Sequence, residues 1–186
     1  MVSFRDLVAG DMTRQTDAPF GWLRAIALLR RPSFASVFFH RIAHCCVSKG
    51  MIGKAMSLFF YNLAYTCYAC DISVYATIGP GFVLSHPTGV VIGHSTLGKN
   101  VTIMQNVSVG VRKVCVGLKV ASDEAGTDFS DVPVFGDDVL VYPGAVIAGR
   151  IKLGNRAIVG ANSVVLKDVP ADATAVGIPA RIIEKT

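Results

Sequence analysis

The sequence predicts an all-β core wound as a triangular coil of short parallel strands, preceded by an α-helical cap. The first observation is an apolar residue that recurs at intervals of six, with one interval of seven and one interruption: Ile72, Ile78, Leu84, Val91, Leu97, Ile103, Val109, Phe135, Val141, Ile147, Leu153, Val159 and Val165. The second is a small or branched residue at the fifth position of many hexads, and the third is a frequent glycine at the second. A period of six indicates one strand and one corner per hexad, and we interpret the glycines as corner residues with unusual backbone angles.

Two regions follow from this pattern. Residues 1–70 are the predicted helical region, where the spacing of apolar residues predicts helices at about 22–30, 33–48 and 52–69. Residues 71–186 are the predicted coil domain, and the hexads vanish in an inserted loop at about 111–133. A loop of this length is costly to order and usually has a function, although a tolerated insertion is the alternative.

Composition limits the partners. The 186 residues are 52% hydrophobic, which is high for a monomer, so we expect self-association. The net charge of +5 could suit nucleic acid, an anionic membrane surface or a phosphorylated cofactor. No basic run interleaved with aromatic residues occurs, and the sequence therefore argues against a nucleic-acid partner.

The amino-terminal region bears on localisation. Residues 1–10 contain Arg5 and Asp6 and lack the apolar core of a signal peptide, so we predict a cytoplasmic protein. Residues 55–70 are uncharged and apolar but too few to span a membrane. We expect this segment to pack in a subunit interface. Basic residues nearby leave peripheral membrane contact open as an alternative.

Cysteine and histidine spacing gives no metal site. The five cysteines include one C-x-x-C motif, at Cys67 and Cys70, without a second pair. Buried free thiols in a reducing compartment are the preferred interpretation. His40 and His44 stand four residues apart but have no third ligand beside them. No metal cofactor is therefore expected.

His86 lies where the hexad pattern slips. Seven residues separate Leu84 from Val91, so the coil carries one extra residue there. Such bulges re-aim side chains and collect at functional sites. Histidine titrates near neutral pH and could remove a proton from a hydroxyl, whereas a histidine that caps a turn is the alternative. His94 falls in a regular corner, and we interpret it as solvated surface.

Three segments resemble the serine acetyltransferase family of hexapeptide-repeat acyltransferases. They are GFVLSHPTGVVIG at 81–93, QNVSVG at 105–110 and GIPAR at 177–181, and the resemblance reaches back in order to residue 29. It implies a left-handed parallel β-helix, a homotrimer with active sites between subunits, and acetyl-CoA as the donor substrate. Carried over by position, it also implies that His86 is the general base and that Ala161, Lys167 and Arg181 contact the coenzyme.

Two departures from the family bear on the acceptor. Ser85 stands where the family has an aspartate before the base, and Val132 replaces a histidine in an Asp-x-His-Pro segment that begins here at Asp131. The helical region is also shorter than in the family. These differences favour the exopolysaccharide (colanic-acid type) O-acetyltransferase branch, which acetylates a sugar hydroxyl in surface-polysaccharide biosynthesis. Ser85 and Asp131 would then contact a carbohydrate acceptor. Serine O-acetylation in cysteine biosynthesis is the alternative, and a non-catalytic binding module is another.

Overall fold

The described residues begin with four helices. In the computed structural model, which describes residues 2–111 and 132–183, they are Phe4–Thr16 (α1), Trp22–Leu28 (α2), Pro32–Val47 (α3) and Gly50–Tyr68 (α4). The Ser3 hydroxyl accepts a hydrogen bond from the N–H of Asp6 and so caps α1. Pro32 begins α3, at a position where a missing N–H breaks no helical hydrogen bond. α3 packs against both α1 and α4.

The strands after α4 are two or three residues long and stack as the three faces of a prism. One face is β1-β4-β7-β10-β13, the second is β2-β5-β8-β11, and the third is β3-β6-β9-β12-β14 with β15 added at its edge. All pairs are parallel except β14 with β15. The bounds are Asp71–Ile72 (β1), Thr77–Ile78 (β2), Val83–Leu84 (β3), Val91–Ile92 (β4), Thr96–Leu97 (β5), Thr102–Ile103 (β6), Ser108–Gly110 (β7), Val134–Phe135 (β8), Leu140–Val141 (β9), Val146–Ala148 (β10), Lys152–Leu153 (β11), Ile158–Val159 (β12), Val164–Val165 (β13), Thr174–Val176 (β14) and Arg181–Ile183 (β15).

The hexad pattern predicts nearly all of the residues inside this prism. The recurring aliphatic residues are buried at 5% exposure or less, except for one. The small residues at the fifth position are also fully buried: Val101, Val107, Val139, Ala145, Ala157 and Ser163. Because each coil places these residues directly above those of the coil before, one continuous apolar column forms the core.

The exposed residue is Val91, and it shows that the irregular interval in the hexad pattern differs from the predicted one. Val91 is 44% exposed, and its neighbour Ile92 points inward at 1% exposure. The register agrees, since Ile72 pairs with Ile92. From Leu84 to Ile92 is therefore eight residues, and from Ile92 to Leu97 only five. The corner that carries His86 has two extra residues, and the next corner is one residue short.

Glycine is required at these corners for a different reason from the predicted one. A Cβ on Gly79 would lie 2.5 Å from the carbonyl oxygen of Gly98, and a Cβ on Gly98 would lie 2.5 Å from the carbonyl oxygen of Gly136. Close approach of stacked coils therefore requires these glycines. Left-handed backbone angles fall at other corner residues, for example Asn100 with φ 56° and Asp138 with φ 58°, whose short polar side chains tolerate them.

A buried ion pair joins the helices to the prism. Arg41 of α3 donates to both carboxylate oxygens of Asp11 in α1, at 3.0 and 3.1 Å, and both side chains are 2% exposed. Arg41 also donates to the carbonyl oxygens of Ile78 and Gly79. The N–H of Phe82 donates to Asp11 at 2.9 Å. Burial raises the pKa of the Asp11 carboxyl, and Arg41 opposes that rise.

α4 exposes much of its apolar surface. It buries Gly53, Ser57 and Ala64, whereas Met51 and Phe59 are 87% and 62% exposed. Packing of this helix in a subunit interface stays a prediction. Within the described ranges, no helix combines the length and the apolar character that a membrane crossing requires.

Candidate active site

His86 stands at the corner between β3 and β4, on the wall of an open cleft. Its side chain is exposed. The corner forms one wall of the cleft, the last turn of α4 forms another, and the volume is about 390 Å³. The lining residues are Pro32, Thr66, Cys67, Tyr68, Ala69, His86, Pro87 and Thr88. A histidine in this position can reach a small molecule that enters from solvent.

Backbone hydrogen bonds fix the corner on both sides of His86. The N–H of Ser85 donates to the carbonyl of Ile103 at 3.1 Å, and the N–H of Asn106 donates to the carbonyl of Thr88 at 3.1 Å. On the other side, the N–H of Gly89 donates to the carbonyl of Ala69 at 2.8 Å. The extra residues of the corner are thus held between the next coil and the end of α4, which fixes the backbone that carries the imidazole.

One edge of the prism joins His86 to the last coil. The corners stack directly, because the N–H of Gly144 donates to the carbonyl of Gln105 at 3.0 Å and the N–H of Asn162 donates to that of Pro143 at 2.9 Å. The adjoining strands follow in the order β3, β6, β9, β12. Ala161 therefore lies on the edge that carries His86, three strand spacings away, or about 14 Å.

The other predicted coenzyme contacts also lie in the last coil and the closing hairpin. Lys167 is exposed at the corner after β13, and Arg181 is exposed as the first residue of β15, opposite Val176. Ser85 is half-buried beside His86. The structure thus brings Ser85 and His86 together at one end of the prism. It places Ala161 and Lys167 at successive corners of the last coil, on different edges, and Arg181 in the closing hairpin. Asp131 lies outside the described residues.

Two residues of this region escaped the sequence-based prediction. Asp71 donates its N–H to the carbonyl of Val90, which ends the His86 corner, and its carboxylate accepts a hydrogen bond from the Tyr61 hydroxyl at 2.9 Å. Burial, and next this hydrogen bond, raise the pKa of Tyr61 to about 12. The only signal in the sequence was an acid at the start of the first strand.

Cys67 is the second residue. It is exposed and lines the cleft, so the prediction of buried thiols is wrong for it. Cys70 is buried as predicted, and burial raises the pKa of its thiol to about 12. The two differ because Cys67 lies on the outer side of the last turn of α4, whereas Cys70 follows the helix into the core.

The remaining histidines are structural. His94 is half-buried in the short corner and stacks on Tyr75 with ring centroids 5.1 Å apart, which corrects the solvated-surface interpretation. Nδ1 of His44 donates to the carbonyl of Val74 at 2.8 Å. His40 is buried, and burial holds its pKa well below the usual value. Between residues 2–111 and 132–183, no three or more histidine, cysteine or acidic side chains gather as a metal site would need.

Comparisons with known proteins identify the fold and its relatives. Residues 133–167 match the family model described as bacterial transferase hexapeptide (six repeats). A solved soybean serine acetyltransferase, complexed with serine, is 35% identical, with a TM-score of 0.77 over 97% of this chain and 70% of that one. The chain belongs to the hexapeptide-repeat acyltransferase family. The predicted left-handed parallel β-helix with amino-terminal helices is thereby confirmed.

Two further members of the family are also similar to this chain over most of its length. The serine acetyltransferase of Escherichia coli strain K12 is 35% identical over 159 residues, which cover 85% of this chain and 53% of that protein. The chain thus spans about half the length of the curated relatives that it matches. A serine acetyltransferase in complex with CoA is 31% identical, with a TM-score of 0.77 over 97% of this chain and 70% of that chain.

These relatives overturn the predicted acceptor. The assignment to the exopolysaccharide branch, and with it a carbohydrate acceptor in surface-polysaccharide biosynthesis, is wrong, because the relatives are serine acetyltransferases. The assignment of the acceptor gave too much weight to Ser85 and Val132. These two side chains depart from the family pattern at single positions, whereas the similarity to the Escherichia coli serine acetyltransferase extends over 159 residues.

Proposed function

We propose that this protein transfers the acetyl group of acetyl-CoA to the hydroxyl of serine, with His86 as the general base. The likeness to serine acetyltransferases carries this proposal: it covers 97% of the chain in structures solved with serine and with CoA. The exposed position of His86 in a cleft next to the prism edge supports it.

In this reaction the neutral imidazole of His86 accepts the proton of the serine hydroxyl as the oxygen attacks the thioester carbonyl. A tetrahedral intermediate forms and then collapses, the C–S bond breaks, and the CoA sulfur leaves. The imidazolium returns the proton to this sulfur, so that O-acetylserine and CoA-SH are the products. General-base assistance of this kind contributes about 10²–10⁴ in rate.

Recognition of serine requires partners for an ammonium and a carboxylate. Ser85 has only a neutral hydroxyl and Val132 has no polar side-chain atom, so neither supplies a counter-charge. We assign the ammonium contact to Asp71, because its backbone is hydrogen-bonded to the corner of His86 and it brings a carboxylate to that end of the prism. Asp131 stays a candidate for orienting the acceptor.

We place the donor along the prism edge that joins Ala161 to His86. Ala161 is exposed, so an extended arm could lie against the edge there. Arg181 is an exposed cation in the closing hairpin, and Lys167 is an exposed cation at the next corner of the last coil; both suit the phosphates of CoA. We also propose a homotrimer in which each cleft lies at a subunit boundary, consistent with the exposed apolar surface of α4.

The test is a steady-state assay of thiol release from acetyl-CoA in the presence of serine. We expect serine-dependent release by the wild type and a loss of about 10²–10⁴ in kcat for His86→Asn. His94→Asn is the matched control, because it removes a histidine from the neighbouring corner, and its kcat should stay close to that of the wild type. Asp71→Asn should raise KM for serine more than it lowers kcat.

Two results would contradict the proposal. Absence of serine-dependent thiol release by correctly folded wild-type protein would remove serine as the acceptor. Unchanged turnover by a folded His86→Asn variant would remove the histidine from catalysis. Sedimentation velocity of the wild type tests the trimer separately, and a monomer at assay concentration would contradict it.

A further inference from the structure

Three exposed arginines line a second, open cavity on the helical side of the molecule. It has a volume of about 560 Å³ and lies between the end of α1, helix α2 and the turn into α3. Arg24, Arg30 and Arg31 line it, together with smaller or apolar side chains such as Thr16 and Leu28. Among the residues that the structure describes, no acidic side chain is part of this lining.

The charge of this cavity is not balanced from within the described chain. Within residues 2–111 and 132–183, neither Arg30 nor Arg31 has an ion-pair partner, since the salt bridges join Arg41 to Asp11 and Arg156 to Asp172. Arg24 donates to the carbonyl of Pro19 at 3.2 Å, and a carbonyl oxygen leaves its charge in place. Guanidinium groups do not lose their protons at neutral pH, so three positive charges share one concave surface.

The geometry of guanidinium groups indicates the kind of anion. Arginine offers planar, paired N–H donors that match the oxygens of a phosphate group in two-point contacts. The volume falls within the range of small-molecule sites. Apolar side chains in the lining, Ala27 and Leu28, provide a surface for the uncharged part of such a ligand.

The surroundings of the cavity suggest two sources for a phosphate. On α2, Leu23 and Ile26 are 85% and 61% exposed, so apolar side chains flank the arginines as at a lipid surface. The cavity also adjoins the candidate active site, because Arg31 lines it while the next residue, Pro32, lines the cleft of His86. A soluble phosphorylated molecule could thus bind beside the cleft.

We propose that the cavity formed by Arg24, Arg30 and Arg31 is a binding site for a phosphate group, separate from the site of acetyl-CoA. It holds the group by two-point contacts from the guanidinium groups, and the helical region thereby gains a ligand-binding role. The inference does not depend on the identity of the acceptor in the acetyl transfer.

The test measures binding of two probes to the intact protein. Calorimetric titration with inorganic pyrophosphate represents the soluble source, and co-sedimentation with vesicles of phosphatidylglycerol, compared with phosphatidylcholine, represents the lipid source. We expect the Arg30→Gln/Arg31→Gln variant to bind the effective probe at least about tenfold more weakly. Lys99→Gln, which removes an exposed positive charge from a prism corner, is the control and should bind like the wild type.

Each outcome decides the proposal. Selective loss of pyrophosphate binding supports a soluble ligand, and selective loss of binding to phosphatidylglycerol vesicles supports a lipid headgroup. Binding of neither probe by the wild type, or equal binding by the double variant, overturns the site. KM for acetyl-CoA should be unchanged in the double variant, and a tenfold rise would show that the arginines belong to the donor site instead. Failure of serine acetylation alone would leave the phosphate site intact.

Discussion

Replacement of Arg41 by methionine should destabilise the whole molecule, because Arg41 makes its contacts at the junction of helices and prism. The substitution keeps most of the side-chain volume but leaves the Asp11 carboxylate without its partner at 2% exposure. It also removes the donor from the carbonyl oxygens of Ile78 and Gly79. Loss of one partner of a buried ion pair costs about 3–5 kcal/mol. For a protein of this size, that corresponds to a decrease in Tm of about 6–20 °C.

Thermal unfolding followed by circular dichroism, at one protein concentration and pH, measures the effect. Adding Asp11→Asn to Arg41→Met should recover part of the lost Tm, since asparagine removes the orphan charge and still accepts from the N–H of Phe82. Arg156→Met is the matched control, because its ion pair with Asp172 is at least half exposed and should matter little. A Tm for Arg41→Met equal to that of Arg156→Met would refute the reasoning.

Three further predictions concern single residues. Gly98→Ala should lower Tm by several degrees, because its Cβ would meet the carbonyl oxygen of Gly136 at 2.5 Å, and an unchanged Tm would contradict the close approach of the coils. His40 has a lowered pKa in the folded state, so its contribution to stability is present above about pH 6.5 and is lost as pH falls, by up to about 1.4 kcal/mol per pH unit. Denaturant titrations between pH 5 and pH 7.5 should show this slope, and His40→Phe should flatten it; an equal slope in the variant would assign the effect elsewhere. Alkylation of Cys67 with N-ethylmaleimide should block the cleft and abolish acetyl transfer, whereas Cys67→Ser should resist the reagent. Equal inhibition of both proteins would show that another thiol is responsible.

The repeat was predictable because inward positions accept only small or apolar side chains of suitable size. That rule fails where consecutive residues are all aliphatic. An apolar side chain occurs at three consecutive positions, Val90, Val91 and Ile92, and each could face inward. The sequence therefore could not show that Val91 faces solvent. The corner glycines were identified correctly but for the wrong reason, since contacts between coils are not visible in a single hexad.

The helical region was less predictable, because its contacts join residues far apart in the chain. Arg41 looked like one more basic residue near Arg30 and Arg31, yet it is buried against Asp11, thirty positions away. The cavity of arginines likewise combines residues from α1, α2 and the turn into α3. At the candidate active site, position relative to the hexads predicted that His86 would project from the coil, whereas Asp71 and Cys67 required the structure.

Stacking of the corners makes the distance along the edge a multiple of one strand spacing. Inserting or deleting a complete coil between His86 and Ala161 would change their separation by a fixed step of about 4.8 Å. Evolution of this fold can therefore adjust the gap only in whole steps, while a thioester substrate has a fixed reach. Under the proposed arrangement, the number of coils between Ala161 and His86 determines how long the arm of the acyl carrier must be to reach the histidine.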